Sequence, residues 1–131
     1  MCGIIAGLSL EDNIIKILIE GLKQLQNRGY DSAGYCYSNG NFNIKKYAST
    51  NSIDSIKKLE LELDEDMFST CGIAHTRWAT HGGKTDYNSH PHMSYDGKIC
   101  IVHNGIIENF DILKKYLIEK GIEFKSQTDT E

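Results

Sequence analysis

Proline is almost missing from this sequence: Pro91 is the only one in 131 residues. With no proline- or serine-rich stretch there is no linker, and no internal repeat is visible, so one domain is expected over residues 1–131. No run approaches the roughly 18 apolar residues that cross a bilayer. The N-terminus lacks the basic leader and long apolar core of a secretory signal, which leaves the cytoplasm as the default compartment. Charge of one sign is not concentrated anywhere: a net −4, with acids and bases interspersed, offers no footprint for nucleic acid. The four cysteines, Cys2, Cys36, Cys71 and Cys100, include no CxxC pair, so a disulfide scaffold is not expected. Cys36, Cys71 and Cys100 lie in apolar stretches and read as small buried hydrophobes.

What is present is 40% hydrophobic, enough for a real core. Residues 2–9 read as a buried strand. A helix is expected over 13–27, with Ile14, Leu18, Leu22 and Leu25 on one face, Asp12 as the cap and Gly29 as the stop. Strands at 33–38 and 42–48 flank Asn39-Gly40, a hairpin turn signal. A second helix starts near Ser52 and carries Ile53, Ile56, Leu59 and Leu63. Further strands are expected at 69–77, 98–104 and 122–126, and a helix at 107–120 carrying Ile107, Phe110, Leu113, Leu117 and Ile118. Strands in pairs between helices make an α+β arrangement of antiparallel sheet covered by helices. The polar stretch 78–97 is long for a loop, which points to function.

Four places could carry chemistry. Removal of Met1 would leave Cys2 with a free α-amine beside its own thiol. An α-amine near 7.7–8.0 and a thiol near 8.5 are matched for proton transfer at about neutral pH, so the amine can act as base. Asn104 and Gly105, straight after a strand, could aim an amide and a backbone N–H at an oxyanion, although Asn-Gly taken alone reads as a turn. Arg77 offers a planar fork for a carboxylate, beside Trp78, Thr80 and His81; taken alone, an arginine at a strand end is solvated. Asp129, in the final TDTE, could hold an ammonium group and with Arg77 match both charges of an amino acid, although terminal acids are ordinarily mobile. A zinc module of His75, His81, His90, His92 and the cysteines has no tight CxxC or HxxxH spacing behind it.

The blocks CGIIAG at 2–7, RGYDSAG at 28–34, HTRWATHG at 75–82, NSHPH at 88–92, HNGIIEN at 103–109 and TDTE at 128–131 resemble the class II glutamine amidotransferases. Among these they are most similar to the glutaminase domain of the glutamine–fructose-6-phosphate aminotransferase (glucosamine-6-phosphate synthase) family. The resemblance implies the N-terminal nucleophile hydrolase fold, a four-layer αββα sandwich. It implies Cys2 as nucleophile, its freed α-amine as base, and Asn104 with the Gly105 N–H as oxyanion hole. Arg77 and Asp129 would bind the head group of L-glutamine, Trp78, Thr80 and His81 would line its pocket, and Arg28 would support the nucleophile's surroundings. No metal or organic cofactor is implied, nor a nucleic acid or membrane partner; a homo-oligomer stays open. Against the family pattern the sequence runs to about half a glutaminase domain and carries no sugar isomerase domain. The second sheet is therefore expected to be incomplete, Asp129 to sit on an unpacked end, and a partner chain or isomerase domain to be needed downstream. A free-standing glutaminase, or a catalytically silent module that binds glutamine or assembles with a partner, are the competing readings.

Overall fold

The structure is a computed structural model that describes residues 2–79 and 82–131. Its centre is a four-stranded antiparallel sheet of β1 (Gly3–Leu8), β2 (Ser32–Ser38), β3 (Phe42–Ala48) and β4 (Cys71–Arg77), in the order β1-β4-β2-β3. Each rung alternates between two faces. Ile5, Ala74 and Tyr35 point to the helices α1 (Ile14–Leu25) and α2 (Ser55–Leu61); Ile4, His75, Gly34 and Lys46 form a rung of the opposite face.

Helix α1 holds to the sheet through Ile14, Ile15, Leu18, Ile19 and Leu22, all buried. Burying such a side chain is worth about 1.5–3 kcal/mol, so this face dominates the packing. Its cap is Asn13, whose Oδ1 accepts from the Ile15 N–H at 3.2 Å, and not the expected Asp12, which Ser9 engages instead. The helix gives way to a 3₁₀ turn at Gln26–Arg28. Gly29 follows in extended conformation and caps nothing by a left-handed turn; a Cβ there would stand 2.8 Å from the Arg77 carbonyl carbon. Helix α2 starts later than expected, because Asp54 and not Ser52 caps it through the Lys57 N–H. The β2–β3 hairpin forms around Gly40 at φ +97°, the left-handed region that glycine enters freely.

The opposite face is covered in part by a second layer. The short strands β5 (His92–Met93) and β6 (Cys100–Ile101) pair antiparallel. The His75 ring on β4 stacks at 4.3 Å on His90, just before β5, and Lys46 Nζ on β3 donates to the Pro91 carbonyl at 3.0 Å; these contacts lay this second sheet over the first. Only two residues of the expected strand 98–104 are strand, because the Ser94 hydroxyl takes the Lys98 and Ile99 N–H groups. Cys36 is buried, whereas Cys71, at the uncovered end of the same face opposite Leu8, is exposed, contrary to its apolar surroundings in sequence.

Helix α3 (Phe110–Glu119) lies inside the expected span, but none of its residues is buried and Ile112, Tyr116 and Ile118 are exposed. The expected strand 122–126 does not form. Its Lys125 and Ser126 N–H groups are taken by the Glu131 carboxylate at 2.8 and 2.5 Å, which turns the segment back on itself. The tail is consequently packed and not loose: Thr128 and Thr130 are 3% and 5% exposed. No described helix is long and apolar enough to cross a membrane.

Candidate functional site

Register builds the site. Pairing of Gly3 with Thr76 sets Cys2 beside Arg77 and Trp78, and pairing of Ser32 with Arg77 brings residue 31 to the same place from the other side. Thr76 secures the first junction, its Oγ1 accepting the Gly3 N–H at 3.1 Å. The Cys2 Sγ, half-buried, accepts the Trp78 backbone N–H at 3.2 Å. The same sulfur lies 3.7 Å from the Trp78 carbonyl oxygen, so the Trp78 backbone fixes where it stands.

The 103–105 loop closes over this point from the second layer. Asn104 Nδ2 donates to the Cys2 carbonyl oxygen at 2.9 Å, so an amide donor stands next to Cys2. A Cβ at Gly105 would meet the His103 ring nitrogen Nε2 at 2.5 Å, so a larger residue would have to push the imidazole aside. His103 is tied by Nδ1 to the Thr130 hydroxyl at 3.2 Å. Asp129 Oδ2 accepts the Ile107 N–H at 2.7 Å. The acid therefore has a fixed position on the far side of the loop, where the sequence suggested a free end.

Arg77 is 5% exposed, which corrects the reading of a solvated strand end. Burial pulls its pKa down, opposed by Cys2, Asp31 and Asp129; a guanidinium is charged regardless. One of its nitrogens donates to the Gly83 carbonyl at 3.3 Å. Trp78 is 43% exposed, with Tyr30 edge-on to it at 5.1 Å. Thr80 and His81 lie outside the described residues. Arg28 is exposed at the end of the 3₁₀ turn, and its side chain makes no hydrogen bond or ion pair with the described residues.

Asp31, three positions along the same block, does contact the residues that follow Trp78. Its Oδ2 accepts the Ala79 N–H at 2.9 Å and its Oδ1 lies 3.5 Å from Lys84 Nζ. Behind the site His75, His90 and His92 form a row: His75 and His90 stack at 4.3 Å, and His92 meets His90 edge-on at 4.6 Å. Burial is the chief reason their pKa values fall to about 4, about 2 and about 4. Among the described residues no group of three or more His, Cys, Asp or Glu is arranged to hold a metal ion. A cavity of about 950 Å³ opens elsewhere, between Lys46, His92, Tyr95, Phe124 and Glu131, and neither Cys2, Arg77, Trp78 nor Asn104 lines it.

A thiol at the chain's second residue, an amide donor beside it and a buried guanidinium make a set suited to acyl transfer from an amino acid amide. The family model described as "Glutamine amidotransferase domain" matches residues 64–131. This chain belongs to the glutamine amidotransferase family. It is 52% identical over its whole length to the glutamine–fructose-6-phosphate aminotransferase (isomerizing) of Caldanaerobacter subterraneus subsp. tengcongensis, and 50% identical to that of Methanococcus maripaludis. It spans only 21% of each, about a fifth of the length of the curated relatives it matches. Among solved structures it is similar to a glutamine phosphoribosylpyrophosphate amidotransferase from B. subtilis in complex with ADP and GMP. The TM-score is 0.72 at 25% identity, covering 98% of this chain and 27% of that one. The chain therefore has the mixed helix-and-sheet fold of the N-terminal nucleophile hydrolases in part, with a four-stranded sheet, two helices on one of its faces and a two-stranded second sheet.

Proposed function

We propose that the chain is the N-terminal portion of a type-2 glutamine amidotransferase domain, and that Cys2, freed of Met1, hydrolyses L-glutamine to glutamate and ammonia. In a longer family enzyme this ammonia would aminate fructose 6-phosphate to glucosamine 6-phosphate, on sugar isomerase domains of the same or a partner chain. A cytoplasmic setting goes with that role. The observation that carries the reading is the placement of Cys2 between the Trp78 N–H and the Asn104 amide.

The chemistry follows from the groups present. The α-amine takes the thiol proton, and the thiolate attacks the side-chain carbonyl carbon of glutamine. Asn104 Nδ2 and the Gly105 N–H receive the oxyanion. The amine returns its proton to the leaving nitrogen, ammonia departs, and a γ-glutamyl thioester remains. Water, deprotonated by the same amine, attacks the thioester; glutamate leaves and the thiol is restored. Arg77 would pair with the substrate α-carboxylate. Asp129, with Oδ2 already on Ile107, would offer Oδ1 to the α-ammonium. Trp78 would wall the pocket.

One fact favours a second reading, a catalytically silent glutamine-binding or assembly fragment: while Met1 is attached, the Cys2 nitrogen is an amide and cannot be the base. The two are separated by incubating the chain with a diazo-ketone analogue of glutamine and recording the intact mass and the N-terminal peptide. Expected are loss of Met1 and one adduct on Cys2, abolished by Cys2→Ala and slowed about tenfold or more by Arg77→Ala, as befits the loss of a charge-assisted bidentate contact. Unlabelled protein with Met1 attached would make the silent reading the correct one.

A further inference from the structure

The Asn104 side chain lies between two groups that fix which way round it sits. Its Nδ2 is 2.9 Å from the Cys2 carbonyl oxygen, and a carbonyl oxygen only accepts, so the NH2 end must face Cys2. Oδ1 therefore faces His75, whose Nε2 is 2.7 Å away. An amide oxygen also only accepts, so Nε2 must carry the imidazole proton. Nδ1 of the same ring is buried with no partner, as suits the nitrogen without a proton. The ring is 1% exposed and clamped by its stack on His90, which meets His92, which is tied by Nε2 to the Thr128 hydroxyl at 3.0 Å.

We propose that His75 is a positioning residue for the oxyanion hole: its Nε2–H holds Asn104 Oδ1, and this turns the second Nδ2 proton toward the place where the oxyanion forms. The inference rests on the glutaminase reading above and adds a residue to it. Without the histidine the amide would rotate about its last bond, and a donor that must first be oriented stabilises a transition state less than one already aimed. Burial, with a pKa near 4, keeps the ring neutral, so its single proton stays on the nitrogen that faces Asn104. The Asn104 amide and the His103 backbone act in the other direction, and Arg77 and His103 reinforce the lowering.

Two measurements test this on the whole chain. The first is the nitrogen spectrum of ¹⁵N-histidine-labelled protein at neutral pH, with the His75 signals assigned by their loss in His75→Gln. A neutral ring protonated on Nε2 is expected; protonation on Nδ1, or on both nitrogens, overturns the proposal. The second is a double-mutant cycle read by glutamine hydrolysis. His75→Leu should lower kcat about 10- to 100-fold and change KM less than about threefold, part or all of the loss of one oxyanion donor. In an Asn104→Ala background the same substitution should cost less than about threefold, since its target is gone. His75→Gln, whose NH2 reaches where Nε2 stood, should recover most of the rate. Equal losses in both backgrounds, or no recovery with glutamine, overturn the proposal. If the chain with its natural residues hydrolyses no glutamine, the glutaminase reading fails, while the nitrogen spectrum still decides whether His75 holds Asn104.

Discussion

Acidification from about pH 7.5 to about pH 5.5 should remove about 4 kcal/mol of folding stability, and the three stacked histidines are the reason. His75, His90 and His92 are 1%, 5% and 3% exposed. Desolvation lowers their pKa values to about 4, about 2 and about 4 from the ordinary 6.5. The groups facing the row act mostly in the same direction, since Arg77 and Lys46 are cations and the rings repel one another once charged. Glu131, beside His92, opposes them. Each folded value lies below the unfolded one, so between the two the unfolded chain binds more protons than the folded chain. Stability is then full above 6.5 and falls as pH falls toward 4. At about pH 5.5 each unfolded ring is roughly nine-tenths protonated, which lowers the unfolded state by about 1.4 kcal/mol per ring, or about 4 kcal/mol for three. Ordinary carboxylates titrate near 3.9–4.3, so in about this window they contribute little.

A domain of ordinary stability holds about 5–15 kcal/mol, so the loss should be plain. Urea unfolding followed by far-UV circular dichroism at both pH values is the assay. The midpoint should fall at pH 5.5 with the slope against urea unchanged. His90→Phe, which keeps a flat ring in the stack and removes one titrating group, should reduce the pH dependence by about a third. Equal stability at the two pH values, or a full pH dependence in His90→Phe, would refute the claim that these rings are buried neutral.

Two further outcomes concern the framework around the site. Lys46 Nζ donates to the carbonyls of Tyr87, Ser89 and Pro91 at 3.2, 2.7 and 3.0 Å, so Lys46→Met should cost about 2–4 kcal/mol in urea unfolding, several charge-assisted hydrogen bonds being lost at once; a loss below about 0.5 kcal/mol would mean that the 87–91 loop stands without it. Asp31→Asn keeps the shape but weakens the acceptor for the Ala79 N–H and removes the charge near Lys84. It should slow Cys2 labelling by the diazo-ketone about threefold to tenfold while leaving the fold intact by circular dichroism, and an unchanged labelling rate would remove Asp31 from the site.

The elements that were legible in sequence are those whose signal is local. Ile14, Leu18 and Leu22 recur at helical spacing, and Asn39-Gly40 turns a hairpin wherever it stands. The misread elements depended on partners far along the chain. Residues 122–126 alternate like a strand, yet their N–H groups go to Glu131, and no local pattern announces that a carboxylate will reach back. Helix α3 has helical spacing of Ile and Leu, but spacing says nothing of what covers it. In the site the same division holds. The resemblance named Cys2, Asn104 and Arg77 one by one, because each sits in its own block. It named Arg28 and passed over Asp31, which contacts Ala79 and Lys84, although both stand in RGYDSAG. The choice between them follows from register alone: β2 begins at Ser32 and pairs it with Arg77, so the residue before Ser32 lies against the residues after Arg77, while Arg28 is still leaving the 3₁₀ turn toward solvent. His75 entered the sequence reading only as a member of a zinc module, since its partner Asn104 is 29 residues away, in another layer. A motif can say which residues react; which side chains stand against them is decided by long-range placement, and here the alignment of β4 with β2 brings Asp31 to Ala79 while the second layer brings Asn104 to His75.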